Sequence, residues 1–273
     1  MKVKAYGKLN LSLNVTGVRG NMHTLDGIMH SVSVYDELTV TESENVSVTV
    51  SGADIEEKSN TAYRAAMLIK ENYGVSLSAD IVKRIPVGGG MGGSSADAAG
   101  VFAAASAILG GRMSESDMMK LAMRVGSDVP FMIRGGCARV RGVGDEIEQL
   151  PFVPFEALVI NCGQVDTSAC YRVFDALPHR SPPSPEEAAS FAARGKLPPP
   201  YNSLTPAATA LLPLIGHCLA AARRAGLNAE MTGSGGCVFV TDPPEGAEEV
   251  FAPLRVRVFR TRSVAVGTET ESV

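Results

Sequence analysis

The chain is predicted to fold as α+β, in two domains spanning 1–150 and 151–273. Three observations carry that expectation. Strand-like and helix-like stretches occur in clusters rather than in strict alternation. The segment "PFVPF" at 151–155 places two prolines in four residues, which interrupts any helix and suits a connector. The length of 273 residues fits two ordinary domains, and 45% hydrophobic against 20% charged residues supplies a substantial core.

The elements follow in order. From Val3 to Val15 the odd positions are mostly apolar and the even ones polar, a period of two that predicts a half-buried strand with Lys8 and Asn10 on its polar face. "DELTVTE" and "NVSVTVSG" read as further strands. "SNTAYRAAMLIKENYG" reads as a helix stopped by Gly74. "VSLSADIVKRIP" is a strand running into a glycine-rich loop, which opens the alanine-rich helix "SSADAAGVFAAASAILGG". Ser114 caps the helix "SESDMMKLAMRVG", with Asp117 three residues on. A short strand pair is expected around "CARVRGVGDEIEQL". The second half begins with the strand "EALVINC" and a helix "ACYRVFDAL" capped by Ser168. Residues 178–200 hold seven of the sixteen prolines and predict a long surface excursion around one short helix. Thr205 and Pro206 start a helix through "AATALLPLIGHCLAAARRAG". "NAEMTGSGGCVFVTD" is strand, glycine turn, strand, and a helix and the strand "LRVRVFRT" follow.

Composition removes several function classes. A net charge of −4 gives no nucleic-acid footprint. No apolar run approaches the roughly 20 residues a membrane helix needs, and "MKVKAYGKLN" has no apolar signal core. Five scattered cysteines without a C-x-x-C pair argue against a disulfide framework or a zinc site and fit a reducing cytoplasm.

The stretch "RIPVGGGMGGSSADAAG" carries the chemistry. Gly88 and Gly93 have Walker-loop spacing, but Ser94 stands where that loop needs lysine. Gly88, Gly90 and Gly93 match G-x-G-x-x-G, but the second strand and acid of a dinucleotide fold are missing. What remains is a phosphate nest closed by a helix N-terminus, whose N–H groups and dipole favour an anion. Phosphoryl transfer also needs a group to orient or deprotonate the acceptor, and positive charge at the transferred group. Asp128, in the break "GSDVPF", suits the first role, with capping of the next turn as the alternative; Lys8 suits the second.

"IPVGGGMGGSSADAA" resembles the second motif of the GHMP kinases, and "MTGSGGCVFV" their third. "GKLNLSLNVTGVRG", "VSVYDELTV", "GSDVPFMIRGGCARVRGVGDEIEQL" and "NSLTPAA" follow the order of the branch that phosphorylates a cytidine-diphosphate-linked methylerythritol in the non-mevalonate isoprenoid route. The resemblance implies an N-terminal domain like domain 2 of ribosomal protein S5 and a ferredoxin-like C-terminal domain. It implies ATP and Mg²⁺, and a small-molecule acceptor carrying cytidine diphosphate. Asp128 matches the catalytic base and Lys8 its charged partner. Pro86, Gly88, Gly89, Gly90, Met91, Gly92, Gly93, Ser94 and Ser95 match the triphosphate loop, with one of Ser94 and Ser95 toward the metal. Asn10, His23, Tyr171, Gly233 and Ser234 match substrate-contacting positions. Met22 departs from the family pattern, which has tyrosine there, so the aromatic contact to cytosine falls to Tyr171, with a core-facing tyrosine on a helix as the alternative. Another GHMP kinase with a different alcohol acceptor, or a nucleotide-binding module without transfer, is the alternative. A monomer and a homodimer are both open.

Overall fold

In the computed structural model, which describes residues 1–53, 56–178 and 183–271, the chain opens with two very long antiparallel strands, β1 (Lys2–Arg19) and β2 (Met22–Ser43). β3 (Ser47–Ser51) and a 3-10 turn at Glu57–Ser59 lead to α1 (Thr61–Tyr73). α1 is capped by the Asn60 side chain, which accepts from Ala62 N–H at 2.8 Å, and it ends at left-handed Gly74. β4 (Ser76–Val82) runs into the glycine loop, followed by α2 (Gly93–Ile108) and α3 (Glu115–Val125). Ser114 caps α3 as expected, accepting from Asp117 N–H at 3.1 Å. Next come the short α4 (Val129–Arg134) and the hairpin of β5 (Cys137–Gly142) and β6 (Glu146–Leu150). The second half contains β7 (Glu156–Asn161), α5 (Thr167–Ala176), α6 (Pro185–Ala193), β8 (Tyr201–Asn202), α7 (Thr205–Leu211) and α8 (Pro213–Arg224). It closes with β9 (Ala229–Met231), β10 (Cys237–Thr241), a 3-10 helix at Ala247–Leu254, β11 (Arg257–Arg262) and β12 (Thr268–Glu271).

The first sheet runs β12-β1-β2-β4-β3, with β5 pairing the early part of β2 and β6 pairing β5. α2 lies on this sheet. Its apolar residues are spread all round it, and nine of its sixteen residues are buried, Asp97 among them, as befits a central helix. Its approach is close, because a Cβ on Gly100 would stand 2.9 Å from Leu38 Cδ2. The second sheet, β11-β7-β10-β9, is antiparallel throughout. Ala157 and Val159 of β7 and Cys237 and Phe239 of β10 join the core of the first half. Leu158, Ile160, Val238 and Val240, the alternate residues, join a second core with α5, α7 and α8. A sheet buried on both faces explains the unbroken apolar runs "ALVI" and "CVFV".

Several elements differ from the sequence reading. β1 is buried on both faces from Ala5 to Asn14, polar residues included. One face meets α2 while the other faces the second half. Register shifts at Tyr6/Gly7 and Asn10/Ser12 bracket Lys8 and Asn10, and bulges of this kind re-aim side chains. α5 starts a residue before Ser168, because Asp166 is the cap, accepting from Ala169 N–H at 2.7 Å. The single long helix after Thr205 is two, broken at Leu212 by Pro213, which has no N–H to continue the first. α4, β8 and β12 are too short to leave a periodic signal. Residues 179–182 of the proline-rich excursion lie outside the described residues.

Candidate functional site

The glycine loop between β4 and α2 meets the glycine turn between β9 and β10 at close range. A Cβ on Gly90, where φ is +74°, would lie 2.1 Å from the Thr232 carbonyl oxygen, so no other residue fits. Cys237 N–H donates to Gly89 O at 3.0 Å, and Thr232 Oγ1 donates to Gly90 O at 3.3 Å. Thr232 Oγ1 also accepts from Asn10 N–H at 3.0 Å, which ties β1 to the same junction. Buried Asn202 braces the second turn, donating to Met231 O at 2.9 Å and Gly233 O at 2.8 Å.

A cleft of about 380 Å³ opens over this junction. Lys8, Asn10, Asp128, Tyr171, Gly233, Ser234 and the expected loop residues from Pro86 to Ser95 line it. His23 is outside the lining. Its ring stacks on Tyr171 at 4.5 Å and 19°, and its Nε2 pairs with Asp175 Oδ1 at 2.8 Å. Met22 is half exposed beside the turn joining β1 and β2.

The Lys8 ammonium is almost wholly buried. It donates to Asn10 Oδ1 and, at 2.7 Å, to Gly90 O, and it stands 3.8 Å from Asp128 Oδ2. Burial pushes the Lys8 pKa down, and the Asp128 carboxylate pulls it back up. Asn10 is 1% exposed, and among the described residues its Nδ2 has no partner. An amide donor buried beside an open cleft without a partner is costly unless a ligand takes it. Asp128 occupies the cap position of α4, yet its side chain makes no capping bond, so the capping alternative does not hold. Burial raises the pKa of Tyr171, and the nearby Asp128 charge adds to it.

The first intrahelical bond of α2 runs from Ala96 N–H to Gly92 O at 2.8 Å. The N–H groups of Gly93, Ser94 and Ser95 therefore have no helical partner, and those residues line the cleft. With the dipole of a sixteen-residue helix behind them, these groups favour an anion at the cleft. Among the described residues no group of three or more His, Cys, Asp or Glu side chains is placed to hold a metal alone. Mg²⁺ is instead commonly held by one or two protein oxygens plus substrate phosphates. The Ser94 and Ser95 hydroxyls and the Asp128 carboxylate, hard oxygen donors in one cleft, fit that pattern.

The sequence reading missed Thr232, Asn202, Thr167 and Asp175. Thr232 lies inside the quoted glycine motif and Asn202 opens "NSLTPAA", but nothing local marks either as a brace. Thr167 pairs with Ser234, Oγ1 to Oγ 2.8 Å. Asp175 was legible in principle, since it lies four residues after Tyr171 on the same helix face.

The GHMP kinases N terminal domain matches residues 60–136, and the GHMP kinases C terminal domain matches residues 173–259. The 4-diphosphocytidyl-2-C-methyl-D-erythritol kinase of Desulfitobacterium hafniense is 36% identical over 265 residues, covering 93% of this chain and 91% of that protein. The enzyme of the same name from Cutibacterium acnes is 34% identical, covering 96% and 93%. A crystal structure of 4-(cytidine 5'-diphospho)-2C-methyl-D-erythritol kinase superposes with a TM-score of 0.78 at 33% identity, covering 96% of this chain and 99% of that one. A homoserine kinase from Cytophaga hutchinsonii shares the fold, with a TM-score of 0.74 at 18% identity, covering 98% and 96%.

Proposed function

The chain belongs to the GHMP kinases, and within them to the 4-diphosphocytidyl-2-C-methyl-D-erythritol kinase family, and from that membership we propose that it transfers the γ-phosphoryl group of ATP to the 2-hydroxyl of 4-diphosphocytidyl-2-C-methyl-D-erythritol, a step of non-mevalonate isoprenoid synthesis. The observation that carries this reading is the meeting of Lys8, Asn10 and Asp128 where the two glycine turns touch.

The ATP phosphates lie along Pro86–Ser95, held by the free N–H groups at the start of α2. Asp128 accepts the proton of the acceptor hydroxyl as that oxygen attacks phosphorus, and ADP leaves. Lys8, 3.8 Å from that carboxylate, holds it in place and offsets charge developing on the transferred group, in place of the lysine the loop lacks. Asn10 Nδ2, with Gly233 and Ser234, orients the acceptor. Tyr171 presents its ring to the cytosine, backed by His23, and Met22 contributes only apolar contact at the rim. One of the Ser94 and Ser95 hydroxyls would hold Mg²⁺ beside the phosphates, and that ion neutralises phosphate charge when bound. Residues 1–150 supply the nucleotide side of the cleft and 151–273 close it over the acceptor. Five free, buried cysteines support a cytoplasmic location.

The test is ADP release from ATP and Mg²⁺, measured with and without the cytidine-linked acceptor. Strong stimulation by that acceptor is the expected result. Stimulation by another small alcohol alone, or nucleotide binding without turnover, would sink the assignment.

A further inference from the structure

Beside the glycine loop lies a buried charge cluster of which only Lys83 reaches the lining of the cleft; its two carboxylates stand behind it. Lys83, just past β4, extends its ammonium to Asp36 of β2 and to Asp97 in α2. The Nζ–Oδ2 distance to Asp97 is 2.7 Å, and the hydrogen bond to Asp36 is also made through Oδ2. None of the three side chains is more than 4% exposed. The second oxygen of Asp36 accepts the backbone N–H groups of Arg84, at 2.5 Å, and Ile85, at 2.9 Å. One carboxylate therefore fixes the segment entering the glycine loop, and one lysine binds that carboxylate to the helix leaving it. A Cβ on Gly93 would stand 3.2 Å from Lys83 Nζ, so the ammonium lies directly beneath the loop's last glycine.

Holding these elements together does not require charge. Well-packed apolar side chains of similar volume commonly hold a buried site at least as firmly as an ion cluster does. What the ions add is direction, since each bond runs between specified atoms at the two ends of the loop. The cluster is also incompletely satisfied, because Asp97 Oδ1 has no hydrogen-bond partner among the described residues. Such a cost fits a functional constraint better than a stability device.

We propose that Asp97, acting through Lys83 and Asp36, is a positioning residue for the nucleotide: the cluster sets the spacing between the two ends of the glycine loop, so that its N–H groups stand ready for the phosphates. The proposal rests on reading that loop as the ATP site. Burial raises the Asp97 pKa against the pull of Lys83. Asparagine keeps the side-chain shape and still offers an oxygen to the lysine, so it is a close stand-in, whereas alanine removes the contact and leaves Lys83 paired with Asp36 alone.

The experiment compares Asp97→Ala and Asp97→Asn in the full chain. Backbone amide exchange across residues 84–96, without ligand, should quicken in the alanine variant and stay near wild type in the asparagine variant. Calorimetric ATP affinity should weaken about tenfold in the first and by less than about twofold in the second, while kcat at saturating ATP changes little. Asp97→Ser gives the same comparison if alanine prevents folding. A lower melting temperature with wild-type exchange, or with wild-type ATP affinity, would overturn the proposal and leave Asp97 a packing residue. If exchange follows the expected order but the wild-type chain binds no ATP, the clamp on the loop stands and the kinase reading falls.

Discussion

Asp128 makes no capping bond with its side chain, stands 3.8 Å from a buried ammonium, and faces the cleft that holds the unpartnered Asn10 amide. A carboxylate so placed closes no turn, and we propose that it takes the proton of the acceptor hydroxyl. Asp128→Asn keeps its shape and removes its basicity. Turnover should fall by about 10²–10⁴-fold, the usual worth of a general base, while calorimetric ATP affinity holds. Near-normal turnover would remove Asp128 from the chemistry. At this scale the sequence was informative wherever a residue stood in a chemically unusual run. The lysine missing after Gly93 directed attention to Lys8, and the break before Pro130 exposed Asp128. Asp36 and Asp97 gave no such signal. Both reach Lys83, 47 and 14 residues away from them along the chain, so only the folded sheet brings them together.

Among the elements, α2 does two jobs: it fills the centre of the first half and aims its N-terminus at the cleft. Its closest approach to the sheet is at Gly100, over Leu38. Gly100→Val adds a branched side chain where even a Cβ is crowded, and should cost about 1–3 kcal/mol by overpacking. The loss is measured from the midpoint of urea unfolding; an unchanged midpoint would mean that α2 has room to shift. Elements with strong local punctuation, such as α1 with Asn60 and Gly74 or α3 with Ser114, were readable from sequence. α7 and α8 were not separated because Pro213 lies inside an unbroken apolar pattern, and periodicity does not register a single missing N–H. The polar face of β1 was read as alternation, but its burial was not, since part of what meets this strand comes from residues more than 180 positions later, Thr232 and Ser203 among them.

In the whole molecule the two halves share cores across the second sheet, and the connector between them is pinned by His30. This histidine is wholly buried, edge-on to Phe152 and Phe155, with centroids 5.2 and 5.1 Å away. Its Nε2 accepts from Val153 N–H at 3.4 Å, so Nδ1 carries the proton and donates to Ser31 O at 2.9 Å. Burial holds the His30 pKa below the usual 6.5. The unfolded chain therefore gains a proton where the native chain does not, and stability should fall as pH drops below about 6.5. His30→Gln, which cannot take that proton, should shrink the difference in melting temperature between neutral and mildly acidic buffer; an equal difference would assign the acid sensitivity elsewhere. The proline pair at 151–155 stands out in the sequence, whereas the anchor of that segment, more than 120 residues upstream, does not. The same long reach governs β1, which is paired by β12 at Lys2–Ala5 and by β8 at Ser12–Leu13. On the ribosome, β1 waits for β12, made more than 260 residues after it. Until residues 268–271 emerge, the edge of β1 at Lys2–Ala5 stays open to any passing strand, so completion of the first half waits on synthesis of the second.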